Sequence, residues 1–117
     1  MKWMFKEDHW LEHRCVESAK IRAKYPARIL VIVEKVSGTQ IAAIAKRRFL
    51  VPSDITVAQF IWIIRKRIRL PSEKAVFLFV DESVTQSSLT LGQLYQRKKD
   101  EDGFLYVVCN GENTFGF

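Results

Sequence analysis

A chain of 117 residues with 48% apolar content can bury one core without metal or disulfide support, which excludes a disordered polymer and a disulfide scaffold. No run approaches the roughly 20 apolar residues that span a bilayer as a helix, and a net charge of +6 favours acidic partners. The two cysteines, Cys15 and Cys109, fit a reducing compartment, and the start MKWMFKEDHW carries charge where a secretion signal needs an apolar stretch, so the expected location is cytosolic.

Along the chain, residues 3–8 and 11–24 are predicted as two short helices, the second with Leu11, Cys15, Ser18 or Ala19 and Arg22 along its inner side. It should end near Tyr25-Pro26, because the residue before proline disfavours helix. Ile29–Val36 is β-branched and nearly continuous, as in a central strand, and Ser37-Gly38-Thr39 supplies a turn. The basic cluster Lys46-Arg47-Arg48 then runs into a short apolar strand, Phe49–Val51, stopped by Pro52. Charge before it and proline after it mark that strand as a sheet edge, open to pairing with another extended chain. Asp54 or Thr56 can cap the following helix, Val57 to about Ile68. Val57, Ile61, Ile64 and Ile68 have core spacing in that helix, with Phe60, Ile63 and Arg67 as a neighbouring stripe. Val76–Val80 is a further strand, Leu91–Gln96 a short helix, and Leu105–Cys109 the last strand.

Charge is unevenly divided. Residues 1–69 hold 15 Lys and Arg against 6 Asp and Glu, a balance of +9, whereas residues 70–117 hold 4 against 7, a balance of −3. The basic part should steer acidic peptides, anionic lipid heads, tubulin-like tails or nucleic acid.

After the two leading helices the order is ββαββ with a minor helix, an α+β pattern that several folds share. The residues narrow the choice. EHRCVESAKIRAKYPARI at 12–29, VIVEK at 31–35, KRRFLVPSD at 46–54, QF and IRKRI within 59–68, GQLY at 92–95 and DEDGFLYVV with GENTFG at 100–116 resemble the ubiquitin-like autophagy modifiers of the GABARAP and light-chain-3 type. The resemblance covers essentially the whole chain. It implies a ubiquitin-like β-grasp: a four-stranded mixed sheet on one main helix, with two extra N-terminal helices. The expected division is an N-terminal helical extension at 1–26, a ubiquitin-like core at 27–115 and a conjugation tail at 116–117, in one compact unit.

The same resemblance implies a substrate and scaffold rather than an enzyme. A cysteine protease would remove Phe117. Activating and carrier enzymes would then join Gly116 to phosphatidylethanolamine, and the protein would recruit aromatic-x-x-aliphatic peptides to autophagosomal membranes. It implies an aromatic pocket of Glu17, Ile21, Leu30, Ile32, Arg48, Leu50 and Phe104. An aliphatic pocket would comprise Phe49, Val51, Pro52, Ile55, Phe60, Ile63 and Arg67. Lys24, Arg28, Lys46 and Arg47 would meet acids flanking the peptide. An ordinary core role is the competing reading of the apolar members, and plain solvation that of each basic one. The alternative function is a non-conjugated adaptor that binds microtubules or trafficking proteins through its basic N-terminal helices and peptide groove.

Other constellations carry less. His9 and His13 lack the cysteine or acidic companions of a metal site. Cys15 and Cys109 are expected to be packing residues without a catalytic partner. No Gly-rich phosphate loop is present, and Arg65-Lys66-Arg67 beside Trp62 lacks a nucleic-acid signature. No cofactor is expected, and the chain should be a monomer. Leu30 and Trp10 stand where the family usually has proline, and the loop 84–91 also departs from it, so partner choice is where this chain should differ.

Overall fold

A computed structural model of the chain describes residues 4–35, 47–68 and 75–111. The element order is α1 (Met4–Asp8), α2 (Leu11–Lys24), β1 (Arg28–Lys35), β2 (Arg47–Pro52), α3 (Val57–Ile68), β3 (Phe77–Val80), β4 (Ser83–Val84), α4 (Leu91–Lys98) and β5 (Leu105–Asn110). The strands form one sheet in the order β2-β1-β5-β3-β4, with β1 and β5 parallel and the other pairs antiparallel.

Among the described residues the sheet is therefore five-stranded, not four-stranded. The added strand, β4, is two exposed residues long and offers no apolar alternation to read. It exists because Asp81 and Glu82 both take positive φ, 51° and 66°, and so close a two-residue hairpin that pairs Val80 with Ser83.

Side chains alternate across the sheet with period two. Ile29, Val31 and Val33 of β1, Phe49 and Val51 of β2, and Leu105, Val107 and Cys109 of β5 face α3 and α4 and form the main core. Leu30 and Ile32 of β1, with Phe104 and Tyr106, face the other way and pack with Phe5 of α1.

Two predicted helix faces are corrected. In α3 the buried residues are Val57, Phe60 and Ile64, with Ile61 and Ile63 partly buried on either side. Phe60 is completely buried and packs edge-on against Phe49, at 5.5 Å between ring centres. Its ring, the largest side chain on the stripe, takes the centre of the buried face, and Ile61 is displaced to the margin. In α2 Ser18 is buried as expected, but the other buried residue is Arg14, whereas Leu11 is 43% exposed, Cys15 is half-buried and Ala19 and Arg22 lie at the surface. That face is selected by a buried carboxylate and a close backbone approach rather than by apolar periodicity. Gly103 has φ +91°, and a Cβ there would lie 2.1 Å from the Ser18 hydroxyl, so only glycine lets α2 come this near.

The start of α3 is capped by Thr56 rather than Asp54. The Gln59 N–H donates to Thr56 Oγ1 at 3.2 Å, and the Thr56 N–H donates to Gln59 Oε1 at 2.8 Å. Thr90 and Gln93 form the same reciprocal cap on α4. Thr56 and Thr90 also pair as an isolated antiparallel bridge, so the two helix starts are tied together just beyond the end of β2.

Candidate functional site

The edge expected from the sequence is present: β2 is an outermost strand of the sheet, bonded to β1 alone among the described strands. Its register decides which backbone groups face outward. The Ser53 N–H donates to the Ala27 carbonyl at 3.1 Å, which makes Ala27 and Ser53 a hydrogen-bonded pair. Hydrogen-bonded and non-hydrogen-bonded pairs alternate along an antiparallel ladder. Ile29–Val51 and Val31–Phe49 are then bonded pairs, while Arg28–Pro52, Leu30–Leu50 and Ile32–Arg48 direct their β2 groups away from β1. The N–H and C=O groups of Arg48 and Leu50 thus point to the open edge. Pro52, which has no N–H, occupies an outward position where none is missed.

The alternation that builds the core also sorts the candidate residues. On the α1/α2 side lie Leu30, Ile32 and Phe104, which are buried, and Leu50 and Ile21, which are partly buried against them. Arg48 is exposed, and Glu17 stands half-buried on α2 beside His13, its carboxylate 4.0 Å from the imidazole. On the α3 side lie Phe49, Val51 and Phe60, with Ile55 and Ile63 packed against them. The Arg67 guanidinium lies over the Phe49 ring at 5.1 Å, and Pro52 is exposed at the strand end. Phe49 and Val51 of the aliphatic set therefore lie on one face of the edge strand and Arg48 and Leu50 of the aromatic set on the other, whereas Pro52, predicted with the aliphatic set, shares the parity of Arg48 and Leu50 and falls on their face.

Lys24 and Arg28 are exposed and lie over the Tyr25 ring at 5.4 and 6.0 Å. Lys46, Gly116 and Phe117 lie outside the described residues, as do the Arg47 side chain, Ser37-Gly38-Thr39 and the end of the predicted strand at Val36.

Residues that sequence reasoning did not single out hold the α1/α2 side together. Phe5 packs edge-on against Phe104 at 5.5 Å between ring centres, and the Arg48 guanidinium lies over the Phe5 ring at 4.8 Å from its centroid. The buried Glu34 carboxylate accepts the Phe5 N–H at 2.9 Å. Beneath them Arg14 Nε donates to Asp102 Oδ2 at 2.9 Å, and Tyr106 donates its hydroxyl to the same oxygen at 2.5 Å. The Phe104 N–H bonds the second Asp102 oxygen at 2.9 Å. Burial, reinforced by that carboxylate, pushes the Tyr106 phenol well above its usual range and keeps it a donor. Lys6 Nζ meets Asp100 at 2.6 Å. Partial burial alone would raise the Asp100 pKa, but the Lys6 bond, the Asp102 N–H and the charges of Lys6 and Arg14 hold it below 3.8. An acid-rich turn facing a basic helix was the available signal, but helical spacing alone does not say which arginine turns inward.

His9 and His13 stack at 5.6 Å between ring centres despite the helix break between them. No cluster of three or more metal-binding side chains occurs among the described residues. Cys109 is fully buried, and burial pushes its thiol up to about 12, so it is no nucleophile. Trp62 is 59% exposed with Lys66 over its ring at 4.3 Å, and Trp10 is 84% exposed.

A family model described as "Autophagy protein Atg8 ubiquitin like" matches residues 13–116. Autophagy-related protein 8 of Schizosaccharomyces pombe is 53% identical over 116 residues, covering 99% of this chain and 96% of that protein. The protein of the same name from Emericella nidulans is 52% identical over 116 residues, covering 99% and 98%. Among solved structures, the crystal structure of Trypanosoma brucei ATG8 superposes with a TM-score of 0.91 at 41% identity, covering 99% of this chain and 100% of that one. The chain belongs to the Atg8 family of ubiquitin-like autophagy proteins, which are modifiers and not enzymes.

Proposed function

We propose that this protein is conjugated through Gly116 to phosphatidylethanolamine, after proteolytic removal of Phe117, and that its β2 edge recruits aromatic-x-x-aliphatic peptides to autophagosomal membranes. The observation that carries the recruiting half is the sorting of apolar residues onto opposite faces of an edge strand whose Arg48 and Leu50 backbone groups point outward. In an extended peptide, residues an odd number apart point to opposite faces. Anchors at i and i+3 therefore suit one pocket on each face, whereas i and i+2 anchors would fall on the same side. Three steps span about 10 Å, the separation of Arg48 from Val51 along β2. The aliphatic set reaches the last strand residue, Pro52, and Ile55 beyond it, while the aromatic set centres on Arg48 and Leu50. A peptide with its aromatic residue first then runs in the same direction as β2, adding a parallel strand.

Burial of the two anchors supplies most of the affinity. The exposed Arg28, Lys24 and Arg48 add about 0–1 kcal/mol each and act mainly on the association rate. The conjugation half is supported by the match to a ubiquitin-like autophagy family that extends to residue 116. A glycine carboxyl has no Cβ to block a narrow transferase channel. A carboxylate is a poor acyl donor, so the reaction needs ATP-driven activation by a separate enzyme.

One experiment with two readouts tests both halves. In a reconstituted conjugation reaction on phosphatidylethanolamine vesicles, Gly116→Ala should block the mobility shift while leaving peptide binding intact. Leu50→Ala should be lipidated normally yet lose about 1–3 kcal/mol of peptide affinity. Lipidation of Gly116→Ala at the parent rate would remove Gly116 as the attachment point, a parent protein that is not lipidated at all would replace the conjugated reading with the adaptor one, and unchanged affinity of a folded Leu50→Ala protein would remove the docking edge.

A further inference from the structure

Where β2 ends, a cleft of about 680 Å³ opens between the end of α2, the start of β1 and α4. Its walls include Arg22, Ser53, Gln93, Tyr95, Gln96 and Lys99, and among the described residues no acidic one lines it. Arg22 and Lys99 both lie over the Tyr95 ring, at 4.8 and 5.6 Å from its centre. Tyr95 is itself held, because its hydroxyl donates to the Gly103 carbonyl at 2.7 Å. Among the described residues, neither Arg22 nor Lys99 pairs with a carboxylate, whereas the nearby Lys98 is paired with Asp81 at 3.1 Å. The positive character does not come from the helix start. The Leu91, Gly92 and Gln93 N–H groups of α4 are already bonded to the Ile55 carbonyl, the Ser53 carbonyl and Thr90 Oγ1. The cleft thus presents two cations on one fixed aromatic platform, with amide side chains beside them.

Its position selects the occupant. Ser53 directly follows Pro52 and lines the cleft, so a chain added parallel to β2 runs toward the end of the strand where the cleft opens. We propose that the cleft is a further anchoring point for the docked peptide and takes the carboxylate of an acidic residue placed about two to four positions beyond the aliphatic anchor. This rests on the peptide-docking reading and gives the edge a preference that the two apolar pockets do not. Arg22 supplies a planar fork and Lys99 a point charge, both suited to a carboxylate at a solvent-exposed site.

The test uses three peptides that share the aromatic-x-x-aliphatic core: one ending at the aliphatic anchor, one continued by Asp and Glu, and one continued by Asn and Gln. Affinities are read by fluorescence anisotropy on the full chain and on the Arg22→Gln/Lys99→Gln double variant. Its fold is checked by thermal melting, and the glutamines keep most of the side-chain volume over Tyr95. The acidic tail should tighten binding to the parent about three- to tenfold, the range expected for two exposed charge pairs. The amide tail should not. The double variant should bind the short peptide as the parent does but lose the gain. In spectra of nitrogen-15-labelled protein, the Gln93 and Gln96 side-chain amides should shift with the acidic tail only. An equal gain on the double variant would assign the acid to general basic surface such as Lys24 and Arg28, and overturn the proposal, as would no gain on the parent. Failure of the short peptide to bind at all would instead remove the docking edge itself.

Discussion

On the α3 side the sheet is covered by Val57, Phe60 and Ile64, packed on inward residues of β1, β2 and β5, and among the described residues the buried charged side chains Arg14, Glu34 and Asp102 all lie elsewhere. On the α1/α2 side Phe5 and the partly buried Ile21 share the covering with an Arg14–Asp102 ion pair, a buried Glu34 and a Lys6–Asp100 bridge. Apolar packing is non-directional and tolerates repacking at constant volume. A buried ion pair depends on geometry, and removing one partner leaves an uncompensated charge. The N-terminal helices are thus docked by a few specific bonds onto a sheet that its other face already stabilises. The candidate aromatic pocket lies in that more conditional layer, and the aliphatic one beside the main core.

The largest break should come from the core face. Phe60→Ala removes a completely buried ring and should cost about 3–5 kcal/mol. Denaturant unfolding measures the loss, and alkylation of the buried Cys109 should accelerate in step with it. A loss below 1 kcal/mol would mean that α3 does not hold the sheet.

Smaller and more local is the effect of Arg14→Met. Asp102 keeps its bonds from Tyr106 and the Phe104 N–H, so the expected cost is about 2–3 kcal/mol. Hydrogen exchange should quicken in α1 and α2 while β1 and β5 stay protected. Equal loss of protection in all four would show one cooperative unit and erase the contrast between the two faces.

The smallest effect is in acid. The Asp100 pKa is lowered on folding, so its contribution is present above the ordinary carboxylate range and is lost as pH falls through the lowered value. Exchange protection of α1 should therefore decline below about pH 4 before that of the sheet. Lys6→Met should weaken the α1 docking already at neutral pH and flatten this acid dependence. An unchanged acid profile in Lys6→Met would show that the bridge does not hold α1.

Much of this was legible in the chain. The β-branched run at 29–35, the proline-ended strand and the apolar spacing of 57–64 encode periods that depend on local backbone geometry, so β1, the β2 edge and α3 could be placed without a fold. The same period of two assigns Phe49 and Val51 to one face of β2, Arg48 and Leu50 to the other. Segment matches along the whole chain gave the family.

Other features depended on partners far apart in sequence. That Arg14 rather than Leu11 or Cys15 turns inward follows from Asp102, 88 residues away. That Phe60 rather than Ile61 centres the α3 face follows from Phe49 across the core. The two residues of β4 needed β3 beside them, and the Arg22–Tyr95–Lys99 cleft exists only because α2 and α4 meet at the start of β1. Local sequence determines which backbone periods can form. Which side chains close over them is decided by desolvation and charge pairing between segments that meet only in the folded chain.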